Sequence, residues 1–121
     1  MKIFDLFIAI AFLFLNTSCE KETIINMGFD DSISKNSRGL VIADFTHFDD
    51  NIYLTGVISL SDGEVEVTLT APGDEVLYSE LLVAPGQLNI NEVFDASPGY
   101  WKLKYKSIEG TGSIDLHMQN Y

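Results

Sequence analysis

The 121-residue chain predicts an all-β domain, a two-sheet sandwich of about seven antiparallel strands, preceded by a signal-peptide helix. Three observations carry this expectation. From about Gly39 onward, apolar and polar residues alternate with period two, the pattern of half-buried strands. Turn residues recur about every 10–12 positions, the spacing expected of a small sandwich. The one continuous apolar run lies at the start of the chain, and the segments between later turns are too short for helices.

The run Ile3 to Leu15 follows Lys2, the only early basic residue. As a helix its thirteen residues span about 20 Å, short of the roughly 30 Å hydrocarbon core of a bilayer. It therefore fits the apolar region of a secretory signal. Asn16, Thr17 and Ser18 follow, and then Cys19, the only cysteine of the chain. Here the sequence resembles bacterial lipoproteins, whose signal ends in small residues before an obligatory cysteine. The resemblance implies cleavage before Cys19, diacylglycerol on its thiol and an acyl chain such as palmitate on the new amine. It places the protein in the bacterial cell envelope, lipid-anchored at the outer membrane on its periplasmic or exposed side. The membrane is then the partner that the anchor on Cys19 implies. A secretory signal with an incidental free cysteine and an uncleaved membrane anchor are the competing readings.

The expected organisation is a signal peptide over 1–18, a lipidated cysteine and tether over 19–38, and a β-sandwich domain over 39–121. The tether opens on Glu20-Lys21-Glu22-Thr23, and Glu20 to Ser37 could reach roughly 60 Å when extended. Acidic residues just behind the cysteine resemble export signals of surface-exposed lipoproteins in some Gram-negative bacteria. Ile24, Ile25, Met27 and Phe29 leave two readings open for 24–38, a tether or an extra edge strand.

The strands follow in order. Leu40 to Phe45 opens the set with uncertain phase. Ile52, Leu54, Ile58 and Leu60 form an apolar face with Gly56 at the same parity. Ser61-Asp62-Gly63 then reads as a tight hairpin, because Asp and Gly tolerate positive φ. Val65, Val67 and Leu69 alternate with Glu64, Glu66, Thr68 and Thr70. Ala71-Pro72-Gly73-Asp74 places Pro and Gly where a type II turn needs them. Val76 to Val83 and Leu88 to Phe94 are joined through Pro85-Gly86. After Pro98-Gly99, the inward set Trp101, Leu103 and Tyr105 alternates with Lys102, Lys104 and Lys106. Gly110-Thr111-Gly112 marks a last turn before Ile114, Leu116 and Met118.

The closing segments, Pro98 to Leu103 and Gly112 to Leu116, resemble the last hairpin of immunoglobulin-like and jelly-roll accessory domains of secreted bacterial proteins. The resemblance implies an immunoglobulin-like sandwich, with a jelly-roll-like sandwich as the alternative. It also implies a binding or structural role without catalytic residues.

Composition excludes several functions. With 7 Lys+Arg against 18 Asp+Glu the net charge is −11, which argues against nucleic acid as a partner. Loss of residues 1–18 removes Lys2 and Asp5 together and leaves that charge unchanged. One cysteine builds neither a disulfide framework nor a cysteine-rich zinc site. The two histidines, His47 and His117, fall at the end of one expected strand and on the polar face of another. They make no recognisable catalytic triad or zinc site. No phosphate loop, HExxH or nucleophile-elbow motif occurs. The expectation is therefore no enzyme activity, no cofactor and no resident metal. Asp30-Asp31 and Asp49-Asp50-Asn51 in expected loops are the weak calcium candidates, without the spaced ligand pattern of known loops.

Lys102, Lys104 and Lys106 have two readings. In an immunoglobulin-like order they pair with Glu64 and Glu66 on one side and Asp115 on the other, as exposed cross-strand ion pairs. Alternatively they form, with Tyr100 as a stacking platform, a cationic ligand face for an anionic glycan. Trp101 points inward as the anchor of the core, and Phe45, Phe48, Phe94 and Tyr53 are core or edge-covering. The expected function is a lipid-anchored, non-catalytic binding or structural module with a protein or glycan partner. The alternatives are an inhibitor of an envelope or host enzyme, acting through loops such as Asp49 to Asn51 or Asp95 to Pro98, and a glycan-binding adhesion module.

Overall fold

The computed structural model describes residues 25–45 and 51–120; the signal run, Cys19, His47, Phe48, Asp49 and Asp50 lie outside them. Among the described residues there are six strands and no helix: β1 (Asn26–Ile33), β2 (Arg38–Phe45), β3 (Asn51–Ala71), β4 (Glu75–Val83), β5 (Gly86–Asp95) and β6 (Gly99–Asn120). All pair antiparallel in one sheet.

The two long strands β3 and β6 pair along nearly their whole length. Each serves two shorter partners. β2 pairs with the first half of β6 and β1 with its second half. β5 pairs with the first half of β3 and β4 with its second half. One half of the sheet therefore runs β2–β6–β3–β4 and the other β1–β6–β3–β5. The halves fold onto each other. Phe29 on β1 is in register with Leu116, yet its ring packs edge-on against Tyr105, centroids 4.9 Å apart. Gly39 on β2 makes that approach possible, since a Cβ there would stand 2.6 Å from the Phe29 ring. The inner faces of both halves close on one apolar core, giving a sandwich-like arrangement with two layers.

The fold line explains why fewer strands are seen than the sequence predicts. Ser61-Asp62-Gly63 is not a hairpin but a bend inside β3, and Gly110-Thr111-Gly112 is a bend inside β6. The β3–β6 register slips between Leu60 and Asp62 and between Glu64 and Val65, as bulges require. The inward parity changes there, from Ile52, Leu54, Ile58 and Leu60 to Val65, Val67 and Leu69. β6 changes likewise, from Trp101, Leu103 and Tyr105 to Ile114, Leu116 and Met118. The connections at the fold line are tied to it. Glu109 N–H donates to the Lys35 carbonyl at 3.1 Å, and Ala84 N–H to the Gly63 carbonyl at 2.9 Å.

The turn at Ala71 to Asp74 stands as read. Pro72 and Gly73 occupy the centre of a turn closed by Asp74 N–H to the Ala71 carbonyl at 3.1 Å, with Gly73 at φ 85°. Residues 26–33, one of the two readings left open for the tether, form the edge strand β1.

Candidate functional site

β6 builds the site. Trp101, Leu103 and Tyr105 are buried on its inner side, so strand alternation sends Tyr100, Lys102, Lys104 and Lys106 outward. Trp101 is fully buried, its indole N–H donating to the Ser97 carbonyl at 2.9 Å, and its ring packs edge-on with Phe45. Tyr100 is 61% exposed. Alternation thus resolves one aromatic pair into a core anchor and a surface ring.

The neighbours of the lysine row differ from the sequence expectation. β3 lies on one side, with Glu66, Thr68 and Thr70 opposite Lys106, Lys104 and Lys102. β2, not the Asp115 segment, lies on the other side, with Arg38, Leu40 and Ile42 opposite the same three lysines. Asp115 belongs to the far half of the same strand, because β6 continues through the bend. Of the expected partners, Glu66 stands opposite Lys106 without coming within 4.0 Å of its ammonium, and the Lys–Glu64 and Lys–Asp115 pairs do not form. Lys102 instead meets Asp74 of the β3–β4 turn at 4.0 Å, both side chains substantially exposed. Among the described residues, no carboxylate lies within 4.0 Å of the Lys104 or Lys106 ammonium.

Two open depressions lie on this face. One, of about 560 Å³, is formed by Ile42, Pro72, Gly99 and Tyr100, with Lys102 and Asp74 at its rim. The other runs beside it between Arg38, Leu40, Glu66, Thr68, Lys104 and Lys106. β4 completes the face, for Val83, Leu81 and Val76 stand in register with Glu64, Glu66 and Thr70. Six of the eight large apolar side chains exposed among the described residues point out here: Leu40, Ile42, Val76, Leu81, Val83 and Tyr100.

The opposite outer face is of another kind. It carries Ser, Thr, Asn and Gln side chains in cross-strand rows, such as Ser32, Ser113, Ser59 and Gln87. His117 lies there beside Asp115, 3.0 Å from its carboxylate. Asp30 also lies there, directly opposite Asp115, so Asp30-Asp31 is part of β1 and not of a calcium-binding loop. Asp31 takes the other parity, opposite Ile114. No cluster of three potential metal ligands occurs among the described residues. At the side of the sandwich, the Tyr78 hydroxyl is held above its ordinary range by burial, then by the carboxylates of Glu80 and Glu92.

Arg38, Leu40, Ile42 and Pro72 were not legible as site residues. The run Leu40 to Ala43 is apolar throughout, so its phase is fixed only by the register with β6. Pro72 reads as turn chemistry and nothing more. Cys19, His47, Asp49 and Asp50 lie outside the described residues.

The described residues form an all-β, sandwich-like fold with a mixed cationic and apolar outer sheet face. No family model matches the chain. No curated protein matches it at a significant level. Solved structures resemble it only distantly. A family GH115 4-O-methyl-alpha-glucuronidase with specificity for decorated arabinogalactans aligns over 74% of this chain at 11% identity, TM-score 0.49. This chain spans 14% of the length of that enzyme. The protein PirA aligns over 83% of this chain and 96% of its own, at 11% identity and TM-score 0.45. The CBM36-1 domain of a multidomain xylanase from a Trinervitermes trinervoides hindgut metagenome aligns over 80% and 94%, at 14% identity and TM-score 0.44.

Proposed function

We propose that this chain is a lipid-anchored protein of the bacterial cell envelope, attached through Cys19 at the outer membrane. Its β-sandwich, of immunoglobulin-like or jelly-roll-like kind, acts as a non-catalytic binding module through the outer face of β2–β6–β3–β4. The sandwich reading is supported by two inner faces sharing one core. The anchor is supported by the apolar run ending at the only cysteine.

One observation carries the binding role. Of the five basic residues among the described ones, Arg38, Lys102, Lys104 and Lys106 share this face with most of the exposed apolar side chains. On a chain of net charge −11 such segregation selects a surface for contact. The apolar floor supplies area and the cations supply orientation and charge selection.

The test compares the full chain with a Tyr100→Ala/Lys104→Glu variant on immobilised peptidoglycan, lipopolysaccharide, a glycan array and a panel of secreted hydrolases. The wild type is retained by at least one component that fails to retain the variant, with no hydrolase slowed. Identical behaviour of the two chains would overturn the binding role. Inhibition of a hydrolase, abolished by substitutions between Asp95 and Pro98, would establish the inhibitor alternative instead. Cys19→Ala should move the protein out of the membrane fraction, and its persistence there would refute the anchor.

A further inference from the structure

We infer that the ligand of this face is an acidic polysaccharide, a linear chain of sugar rings bearing carboxylates, lying along β6 from Tyr100 to Lys106. The inference rests on the binding-module reading of the same face and names its ligand class.

Charge selects a polyanion. Arg38 and Lys106 stand directly opposite each other across β2 and β6, and like charges so placed destabilise a sheet. Lys104 lies between Leu40 and Thr68, with no carboxylate opposite it. Four of the five basic side chains among the described residues gather on this face of a strongly acidic protein, with Glu66 as the carboxylate opposite Lys106. A ligand anion relieves the repulsion and replaces the missing partners.

Shape selects a line. Lys102, Lys104 and Lys106 recur every second residue, hence at about 7 Å intervals, and the row from Tyr100 to Lys106 is about 20 Å long. A single small anion would use one of these charges. A broad anionic surface such as a bilayer would meet all the flanking carboxylates at once, those of Asp44, Glu64, Glu66 and Asp74. A linear polymer follows the cation row and leaves Glu64 outside its path, with Asp44, Asp74 and Glu66 at its edges. A second copy of the chain docked through the same face would set the lysine row against itself.

The floor selects sugars. Tyr100, Ile42 and Pro72 present an apolar platform that fits the C–H face of a sugar ring. Thr68 and Thr70 place hydroxyls beside Lys104 and Lys102, where they exchange hydrogen bonds with sugar hydroxyls. Single-stranded nucleic acid is normally bound by a series of stacking rings. Tyr100 is the one aromatic side chain that the register turns out of this face among the described residues.

The experiment titrates the full chain, in mild detergent, with sodium polygalacturonate, hyaluronate, fully methyl-esterified polygalacturonate and a poly-dT oligonucleotide. At least one acidic polymer binds, and its affinity falls steeply as salt screens the charges. The neutral ester binds at least about tenfold more weakly than the acid polymer. Lys104→Ala/Lys106→Ala weakens the acid polymer by at least about tenfold with its melting transition unchanged or raised. Tyr100→Ala weakens both acid and ester by up to about tenfold. Equal binding of acid and ester, or lysine variants that bind like the wild type, would overturn the acidic ligand while leaving a binding module. Tighter binding of poly-dT would overturn it in favour of nucleic acid. A folded chain that binds neither acidic polymer would also overturn it, the binding role itself then resting on the envelope panel.

Discussion

Gly63 on β3 and Glu109 on β6 meet across the fold line of the sheet, both with positive φ, 70° and 58°. A Cβ on Gly63 would run into the Glu109 carbonyl. The two residues let adjacent strands bend at the same level, so that one sheet becomes two layers. The outer face of β2–β6–β3–β4 exists because of that bend, since it separates the lysine row from Asp115 on the same strand.

Gly63→Ala is therefore expected to destabilise the protein by about 2 kcal/mol or more, from a left-handed backbone and contact with the facing strand. Glu109→Gly should be neutral or stabilising by up to about 1 kcal/mol, because it relieves the same conformation without a steric demand. Urea unfolding of the two variants measures both. Equal effects would show that the bend does not depend on these backbone angles.

Ser107 is the polar counterpart of that corner. Its buried hydroxyl accepts from the Gly110 N–H at 2.9 Å, and its proton lies within reach of the Lys35 and Gly110 carbonyls. Ser107→Ala leaves a buried N–H without its partner and should cost about 1–3 kcal/mol. Faster hydrogen exchange at Gly110 than at Leu103 would accompany it. A loss below about 0.5 kcal/mol would place water, not Ser107, at that N–H.

Trp101 is the chain's only tryptophan, so its emission reports the core directly. Full burial predicts blue-shifted fluorescence with little acrylamide quenching, and a red shift on unfolding. Trp101→Ala should cost about 3–5 kcal/mol, while the exposed Tyr100→Ala should change stability by less than about 0.5 kcal/mol. Comparable losses in both would mean that the faces of β6 are reversed.

The raised Tyr78 pKa gives stability that is full below the unfolded value, near 10, and lost as pH rises through the higher folded value. Burial leads the shift, followed by the carboxylates of Glu80 and Glu92. Alkaline destabilisation should therefore be smaller in Tyr78→Phe. An unchanged alkaline limb in that variant would contradict the assignment.

How much of this was legible in the sequence follows from what alternation encodes. Period two settles which side of a strand a residue takes, and so Trp101, Tyr100 and the lysine row could be placed. It does not encode which strand lies alongside. The same positive-φ chemistry serves a hairpin and a bulged bend, so Ser61-Asp62-Gly63 could not be told from a turn without its partner strand. For the same reason Arg38, Leu40 and Ile42 remained unconnected to β6. In β1, Met27 and Phe29 keep the inward parity but Asp31 interrupts it, which hid the edge strand within the expected tether.

The most direct measurement is amide chemical-shift mapping of the full chain during titration with an acidic polysaccharide. The account predicts shifts concentrated at Tyr100 to Lys106, Arg38 to Ile42 and the Pro72–Asp74 turn. Shifts concentrated instead on the opposite face, at Thr55, Asn89 and His117, would contradict it.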